Sequence, residues 1–234
     1  MKINIIIPAY NEEANISSLL AKLDSKIKID HRIIIIDDGS CDKTLEVAKR
    51  FAKDHLDTVI ISNKPHRGFT NCLRTGIRLS PDNSVIVPVM ADGCDEVELI
   101  EKMYNQICLG FDIVCGSRYV SGGQIIGELS FKKKAGELSS LVLSRIKKIP
   151  CRDLTNSFKM YRKGIFESIN IESKSFEISM ELILKAYFKG YKITELPTIY
   201  KERTSGKSKF NLWRDSLGYL KWFFWALLQS QNRH

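Results

Sequence analysis

The sequence predicts a doubly wound α/β fold with a mostly parallel central sheet, and three observations predict it. Short β-branched runs alternate with helical patterns along the first half of the chain. Those runs are continuously apolar, the signature of strands buried on both faces. Acidic residues stand just past three of them: Glu12-Glu13 after residues 3–8, Asp37-Asp38 after 32–36, and Ala91-Asp92-Gly93-Cys94-Asp95 after 84–90. In such a sheet, ligands bind outside the C-terminal ends of the strands. Three acidic strand ends point to a metal-bound polyanion such as a nucleotide diphosphate.

The elements follow in order. Residues 3–8 form the first strand, closed by Pro8, which has no N–H for the ladder. Asn11 is placed to cap a helix running to about residue 23, with Glu12 and Glu13 at its positive end. Residues 32–36 form the second strand. Gly39-Ser40 turns the chain into a helix over 42–53, with Leu45, Val47, Ala48 and Phe51 as its apolar contacts. Strands at 58–62, 84–90 and 111–115 alternate with helices at 68–79 and 95–109. The pattern then loosens. Residues 117–130, with Gly122-Gly123 and Gly127, read as a mobile loop, and 134–149 as an amphipathic helix. A short strand at 158–161, a helix at 176–188, a strand at 191–200 and a final helix at 210–228 complete the chain. No repeat or linker interrupts it, so residues 1–209 read as one domain and 210–234 as a helical appendage.

Composition narrows the class. The chain has 234 residues, enough for one sizeable core. Its hydrophobic content of 44% and charged content of 27% are those of a soluble globular protein. The net charge of +9, from 36 Lys and Arg against 27 Asp and Glu, favours anionic partners. The acidic strand ends argue against nucleic acid as that partner. Six cysteines without CxxC spacing and only 4 histidines leave no zinc pattern, so free thiols in a reducing compartment are expected. Residues 1–4 lead directly into a strand, so no signal peptide is expected. No apolar stretch reaches the roughly 18–20 residues that span a bilayer. These features together predict a cytoplasmic protein.

Each candidate site residue carries two readings. Tyr10 and Glu12, beyond Pro8, are either a face and an acceptor for a nucleobase or a well-charged helix start. Asp38, in Asp37-Asp38-Gly39-Ser40, either accepts from a base or ribose or caps a turn. Gly68, ending Asn63-Lys64-Pro65-His66-Arg67-Gly68, opens a helix whose N-terminus can approach a phosphate. His66 reads as an exposed loop residue.

Taken together, Ile5-Ile6-Ile7-Pro8-Ala9-Tyr10-Asn11-Glu12-Glu13, Ile36-Asp37-Asp38-Gly39-Ser40 and residues 87–92 resemble the family 2 glycosyltransferases, which have a GT-A fold. Three further segments are similar to the dolichol- and polyprenyl-phosphate mannose synthase branch. They are Gly116-Ser117-Arg118-Tyr119, Asp153-Leu154-Thr155-Asn156-Ser157-Phe158-Lys159-Met160-Tyr161, and Arg203-Thr204-Ser205-Gly206-Lys207-Ser208-Lys209. The resemblance implies a nucleotide-sugar donor, of the GDP-mannose or UDP-glucose type, and a lipid monophosphate acceptor. It implies inversion at the anomeric carbon. Pro8, Tyr10, Glu12, Asp38, Gly68 and Asp92 fall at donor-binding positions, and Arg118, Arg203 and Lys209 at positions that meet the acceptor phosphate. Asp92, Arg118, Arg203 and Lys209 are the implied catalytic set.

A divalent cation, Mg²⁺ or Mn²⁺, is implied at a D-x-D-type motif. Here Asp92 takes the second Asp position and Met90 the first, and a thioether is a poor ligand for a hard cation. Asp95 either helps Asp92 or caps the helix that follows. The resemblance gives Glu181 a counterpart on an acceptor-side helix, where it either orients the site or is an exposed helical residue. In the last helix, Trp213, Leu217, Leu220, Phe224 and Leu228 share one side, while Trp222, Phe223 and Trp225 widen the apolar surface. With Lys207, Lys209, Arg214 and Lys221 they suggest an interfacial helix that holds the protein on the cytoplasmic face of a membrane. The helix at 134–148 is a second candidate contact. Two other functions fit less of the pattern. A transferase with a saccharide or other hydroxyl acceptor needs a positioned carboxylate base. A non-catalytic sugar-nucleotide-binding or membrane scaffold protein would explain Met90. Neither the base, the sugar nor an oligomeric state is read from these residues.

Overall fold

The computed structural model describes residues 1–127, 131–203, 205–206 and 212–230. Lys209, Lys207 and the side chains of Trp213 and Arg214, all singled out above, lie outside the described residues or side chains.

Seven strands make the main sheet, in the order β3-β2-β1-β4-β7-β5-β8. They are β1 (Lys2–Ala9), β2 (His31–Asp37), β3 (Thr58–Ser62), β4 (Ser84–Pro88), β5 (Ile113–Ser117), β7 (Lys159–Arg162) and β8 (Ile193–Pro197). All neighbours run parallel except β7, which is antiparallel to both β4 and β5. Two short strands, β6 (Gln124–Ile126) and β9 (Ile199–Lys201), pair with each other apart from this sheet.

Helices α1 (Glu13–Lys26), α2 (Thr44–Asp54), α3 (Phe69–Leu79) and α4 (Ile100–Cys108) connect the early strands. Helices α5 (Phe131–Lys147), α6 (Ile165–Ser168), α7 (Ile178–Phe188) and α8 (Leu212–Leu228) belong to the later half.

Alternation along each strand builds two cores, one per face. Ile3, Ile5, Ile7, Ile33, Ile35, Val85 and Val87 pack with Ile16, Leu19, Leu20 and Leu23 of α1 and with Ile100, Met103 and Ile107 of α4. Ile6, Ile34, Ile36 and Ile86 pack on the other side, with Leu73 and Ile77 of α3, Ile183 of α7 and Trp222 of α8. This is why the strands read as unbroken apolar runs. On the second face α3 comes very close to β1. A Cβ added to Gly76 would stand 2.5 Å from Ile6 Cγ2, so only glycine permits that approach.

Several local expectations are corrected. Pro8 does not end β1, which runs on to Ala9 in register with Asp37. Val89 N donates to Ile6 O, so residues of that parity face β4, and the N–H that Pro8 lacks would face β4 beyond its paired residues. Asn11 does not cap α1. It takes a left-handed φ of 52°, and its Oδ1 accepts from Cys41 N. Asp95 caps no helix either. The chain first makes a 3-10 turn at Val97–Leu99, and Asp95 reaches back to Met90 N. The loop expected at 117–130 contains β6, whose partner β9 lies far along the chain and leaves no local signal. The strand expected over 191–200 is broken between Pro197 and Ile199, and α6 was not anticipated because it is a single turn. All six cysteines are free thiols.

Candidate active site

The strand order reverses around β1 and β4, and the crevice between their C-terminal ends is where such a sheet binds ligands. Glu12 follows β1 and Asp92 follows β4, so the two carboxylates flank that crevice.

The loops on the β1 and β2 side are laced together. Asn11 N donates to Ser40 Oγ at 3.0 Å, Glu12 N to Thr44 Oγ1 at 2.8 Å, and Lys43 N to Glu13 Oε2 at 2.9 Å. Asp38 is buried and fastens the loop that enters α3. It accepts from Asn63 Nδ2 at 3.0 Å, Arg67 N at 3.0 Å and Gly68 N at 2.7 Å. Its Oδ2 also stands 2.7 Å from His66 Nδ1. Burial by itself raises the Asp38 carboxyl, but these donors outweigh it and hold the group below the usual carboxylate range. Gly68 adopts φ 88°, which its side-chain-free backbone permits, and spends its N–H on Asp38. Tyr10 packs on His66, with ring centroids 4.2 Å apart. The aromatic face expected from Tyr10 is thus shared with His66, which is the exposed loop residue expected from sequence.

On the β4 side, Asp92 Oδ1 accepts from Cys94 N at 3.1 Å and its Oδ2 from Arg203 Nη2 at 2.5 Å. Arg203 Nη1 lies 3.5 Å from Glu12 Oε1. One guanidinium therefore joins the carboxylates that follow β1 and β4. Arg203 thus stands between Glu12 and Asp92, two positions expected to meet the donor. Glu12 also accepts from Asn15 Nδ2 at 2.7 Å.

Asp95 is buried beside Asp92, and its Oδ2 accepts from Met90 N at 2.9 Å. Burial, then the charge of Asp92, push its carboxyl up to about 7, against the pull of Met90 N, Arg118 and Lys22. As for a divalent cation, Asp92 offers one hard oxygen donor, which is enough for an ion that keeps its waters and binds substrate phosphates. Met90 offers a thioether, which does not fit such an ion. Among the described residues, no three His, Cys, Asp or Glu side chains are grouped to hold a metal.

Arg118 forms a two-pronged pair with Asp153, Nε to Oδ2 at 2.6 Å and Nη2 to Oδ1 at 2.8 Å. Nη2 also reaches Thr155 Oγ1 at 3.3 Å, and the guanidinium lies over the rings of Tyr119 and Tyr200. Burial raises the Asp153 carboxyl, but the adjacent Arg118 guanidinium and Lys159 bring it below the usual range. The sequence did not assign Asp153 a role. Its motif was visible, but its partner lies 35 residues earlier, and only the fold brings the two together.

A cavity of about 180 Å³ is lined by Met90, Asp92, Asp95, Arg118, Tyr200 and Tyr219, among others. The structure thus brings Asp92 and Arg118 to one cavity and pairs Arg203 with Asp92. Tyr10, Asp38 and Gly68 form a neighbouring group across β1 and β2, and Pro8 is buried within β1. Glu181 is not an exposed helical residue, which is one of its two readings from sequence. It is fully buried and accepts from Glu172 N, Ser173 N and Lys185 Nζ.

Known proteins resemble this chain over most of its length. A dolichol-phosphate mannosyltransferase of Pyrococcus furiosus is 30% identical over 213 residues, covering 89% of this chain and 59% of its own. The chain thus spans less than two thirds of that relative. A polyprenol monophosphomannose synthase of Mycolicibacterium smegmatis is 28% identical over 223 residues, covering 88% of this chain and 80% of its own. Among solved structures, S. aureus TarS in complex with UDP-GlcNAc superposes with a TM-score of 0.72 at 17% identity, over 100% of this chain and 68% of TarS. Glucosyl-3-phosphoglycerate synthase from Mycobacterium tuberculosis, in complex with Mn²⁺, UDP and glucosyl-3-phosphoglycerate, superposes with a TM-score of 0.67 at 16% identity, over 97% of this chain and 78% of that one. These likenesses give the fold as GT-A. The glycosyl transferase family 2 pattern matches residues 4–169, which carry both carboxylates of the crevice and the Arg118–Asp153 pair, and the chain belongs to that family.

Proposed function

We propose that this protein transfers a sugar from a nucleotide-diphosphate donor to a polyprenyl or dolichyl phosphate at a membrane surface. The observation that carries the reading is one shared cavity. Asp92, from the strand end that faces a donor diphosphate, and Arg118, a cation suited to a phosphate, line the same space. The names of the two relatives above agree with that acceptor.

Tyr10, Glu12, Asp38 and Gly68 shape the nucleotide end. A divalent cation bound with Asp92 would neutralise charge on the leaving diphosphate. The acceptor phosphate is already anionic and needs no strong base. The protein must instead gather two anions, which is work for Arg118, Arg203 and Lys209. An in-line displacement then inverts the anomeric carbon.

The surface fits an amphiphilic acceptor. Leu138, Val142 and Ile146 of α5 and Leu217, Leu220, Phe224 and Leu228 of α8 are all exposed. Arg145, Lys148 and Lys221 lie exposed near them. Such a face suits the interface of an anionic bilayer. Among the described residues, no helix is long and apolar enough to cross a membrane.

The test is incubation with labelled nucleotide sugars and vesicles carrying undecaprenyl or dolichyl phosphate. A labelled sugar extracted with the lipid is the expected product, and Asp92→Asn lowers its formation at least ~100-fold. A labelled saccharide with no labelled lipid would overturn the acceptor assignment.

A further inference from the structure

Arg203 lies where two uses of Asp92 meet. Its guanidinium pairs with Asp92 at 2.5 Å and with Glu12 at 3.5 Å, and all three side chains are less than one-fifth exposed. The backbone beside it is fastened to the same place. Asn15 Nδ2 donates to Ser205 O at 3.4 Å, and a Cβ on Gly206 would lie 3.9 Å from Glu12 Oε2. A charge-assisted pair shielded from water is stronger than a surface pair. Asp92 Oδ1 already accepts from Cys94 N, and Oδ2 is the atom that Arg203 holds.

A dication that approaches this carboxylate meets a guanidinium already seated on it. The neighbouring groups are committed elsewhere, and Glu12 itself pairs with Arg203. Met90 brings a thioether, and Asp95 spends an oxygen on Met90 N.

Resting on the donor reading above, we infer that Arg203 is the resident counter-ion of Asp92, which a divalent cation must displace. The metal alone does this poorly. A nucleotide diphosphate assists, because it gives the displaced guanidinium another anion to pair with. Metal and nucleotide therefore bind with positive coupling, which by linkage is the same in either order. Arg203 acts here as a positioning residue that makes metal loading depend on the donor.

The experiment measures Mn²⁺ binding to the full chain by electron paramagnetic resonance, with and without UDP or GDP. The wild-type protein is expected to bind Mn²⁺ weakly alone and about 10-fold or more tightly with nucleotide. Arg203→Gln tightens Mn²⁺ binding alone by about 10-fold or more and shrinks the effect of nucleotide. Arg203→Lys keeps the charge and retains weak binding. Asp92→Asn added to Arg203→Gln removes the gain, which places the ion at Asp92. The inference is overturned if Arg203→Gln leaves Mn²⁺ affinity within about twofold of wild type, or if Arg203→Lys tightens it equally. Circular dichroism confirms that each variant is folded. Failure of the donor reading looks different: neither UDP nor GDP then binds the wild type, with or without Mn²⁺, in calorimetry.

Discussion

Asp95 is the residue whose burial has the clearest consequence for stability. Its carboxyl titrates near 7 in the folded protein, above the ordinary value of 3.8. The folded state therefore keeps a proton that the unfolded chain has lost between those values. Stability contributed by this group is full below about pH 4 and falls as pH rises to about 7. A shift of this size is worth roughly 4 kcal/mol. Asp95→Asn keeps an acceptor for Met90 N and removes the charge. We expect it to raise the melting temperature at pH 7.5, with the gain vanishing near pH 4. A pH series of thermal melts on both proteins checks this, and a constant offset at every pH would contradict it. The Arg118–Asp153 pair behaves oppositely, because removing one partner leaves a buried charge alone. Arg118→Met should cost about 3–5 kcal/mol, read from chemical denaturation. Asp92 was legible in the sequence because it follows a strand. The Asp153 partnership was not, because the pairing of side chains across a fold has no sequence period.

Helix α8 divides its apolar residues between two uses. Trp222 is 1% exposed, and its Nε1 donates to Ser173 Oγ at 2.9 Å. Leu217, Leu220, Phe224 and Leu228 face outward, with Leu228 84% exposed. Lys147 of α5 donates to the carbonyls of Leu227 and Gln229, both at 2.8 Å, and so satisfies the end of α8. Trp222→Ala should therefore cost about 3–5 kcal/mol of stability. Phe224→Asp should leave stability within about 0.5 kcal/mol and abolish sedimentation with anionic vesicles. If Phe224→Asp binds vesicles normally, the outer face of α8 is not the contact. The outward stripe was legible from its spacing. That spacing did not separate Trp222 and Trp225 from the surface set, because the inner stripe is apolar too, and only packing on α5 and α7 decides which side is covered.

At the scale of the whole molecule, the proposed membrane contact would combine a net charge of +9 with an exposed apolar face. Vesicle binding should weaken as salt rises from about 0.05 to 0.5 M, since the Debye length shrinks several-fold, yet a residual apolar component should remain. Cosedimentation across a salt series reads both parts. Complete insensitivity to salt would remove the electrostatic contribution, and complete loss at high salt would remove the apolar one. The same scale explains the location of the site. Glu12 and Asp92 are 80 positions apart, and they meet because β1 and β4 are neighbours with parallel ends.

By itself, the sequence determined the alternation of strands and helices, the acidic strand ends and the family motifs, because each is written in residues close along the chain. Tertiary structure decided the rest. It inserted β7 antiparallel between β4 and β5, paired β6 with β9, gave Arg118 to Asp153 and set Arg203 on Asp92 and Glu12. The physical reason is range. Propensity and periodicity act over one or two turns of chain, whereas a buried charge takes whichever counter-charge the packed cores bring within about 4 Å.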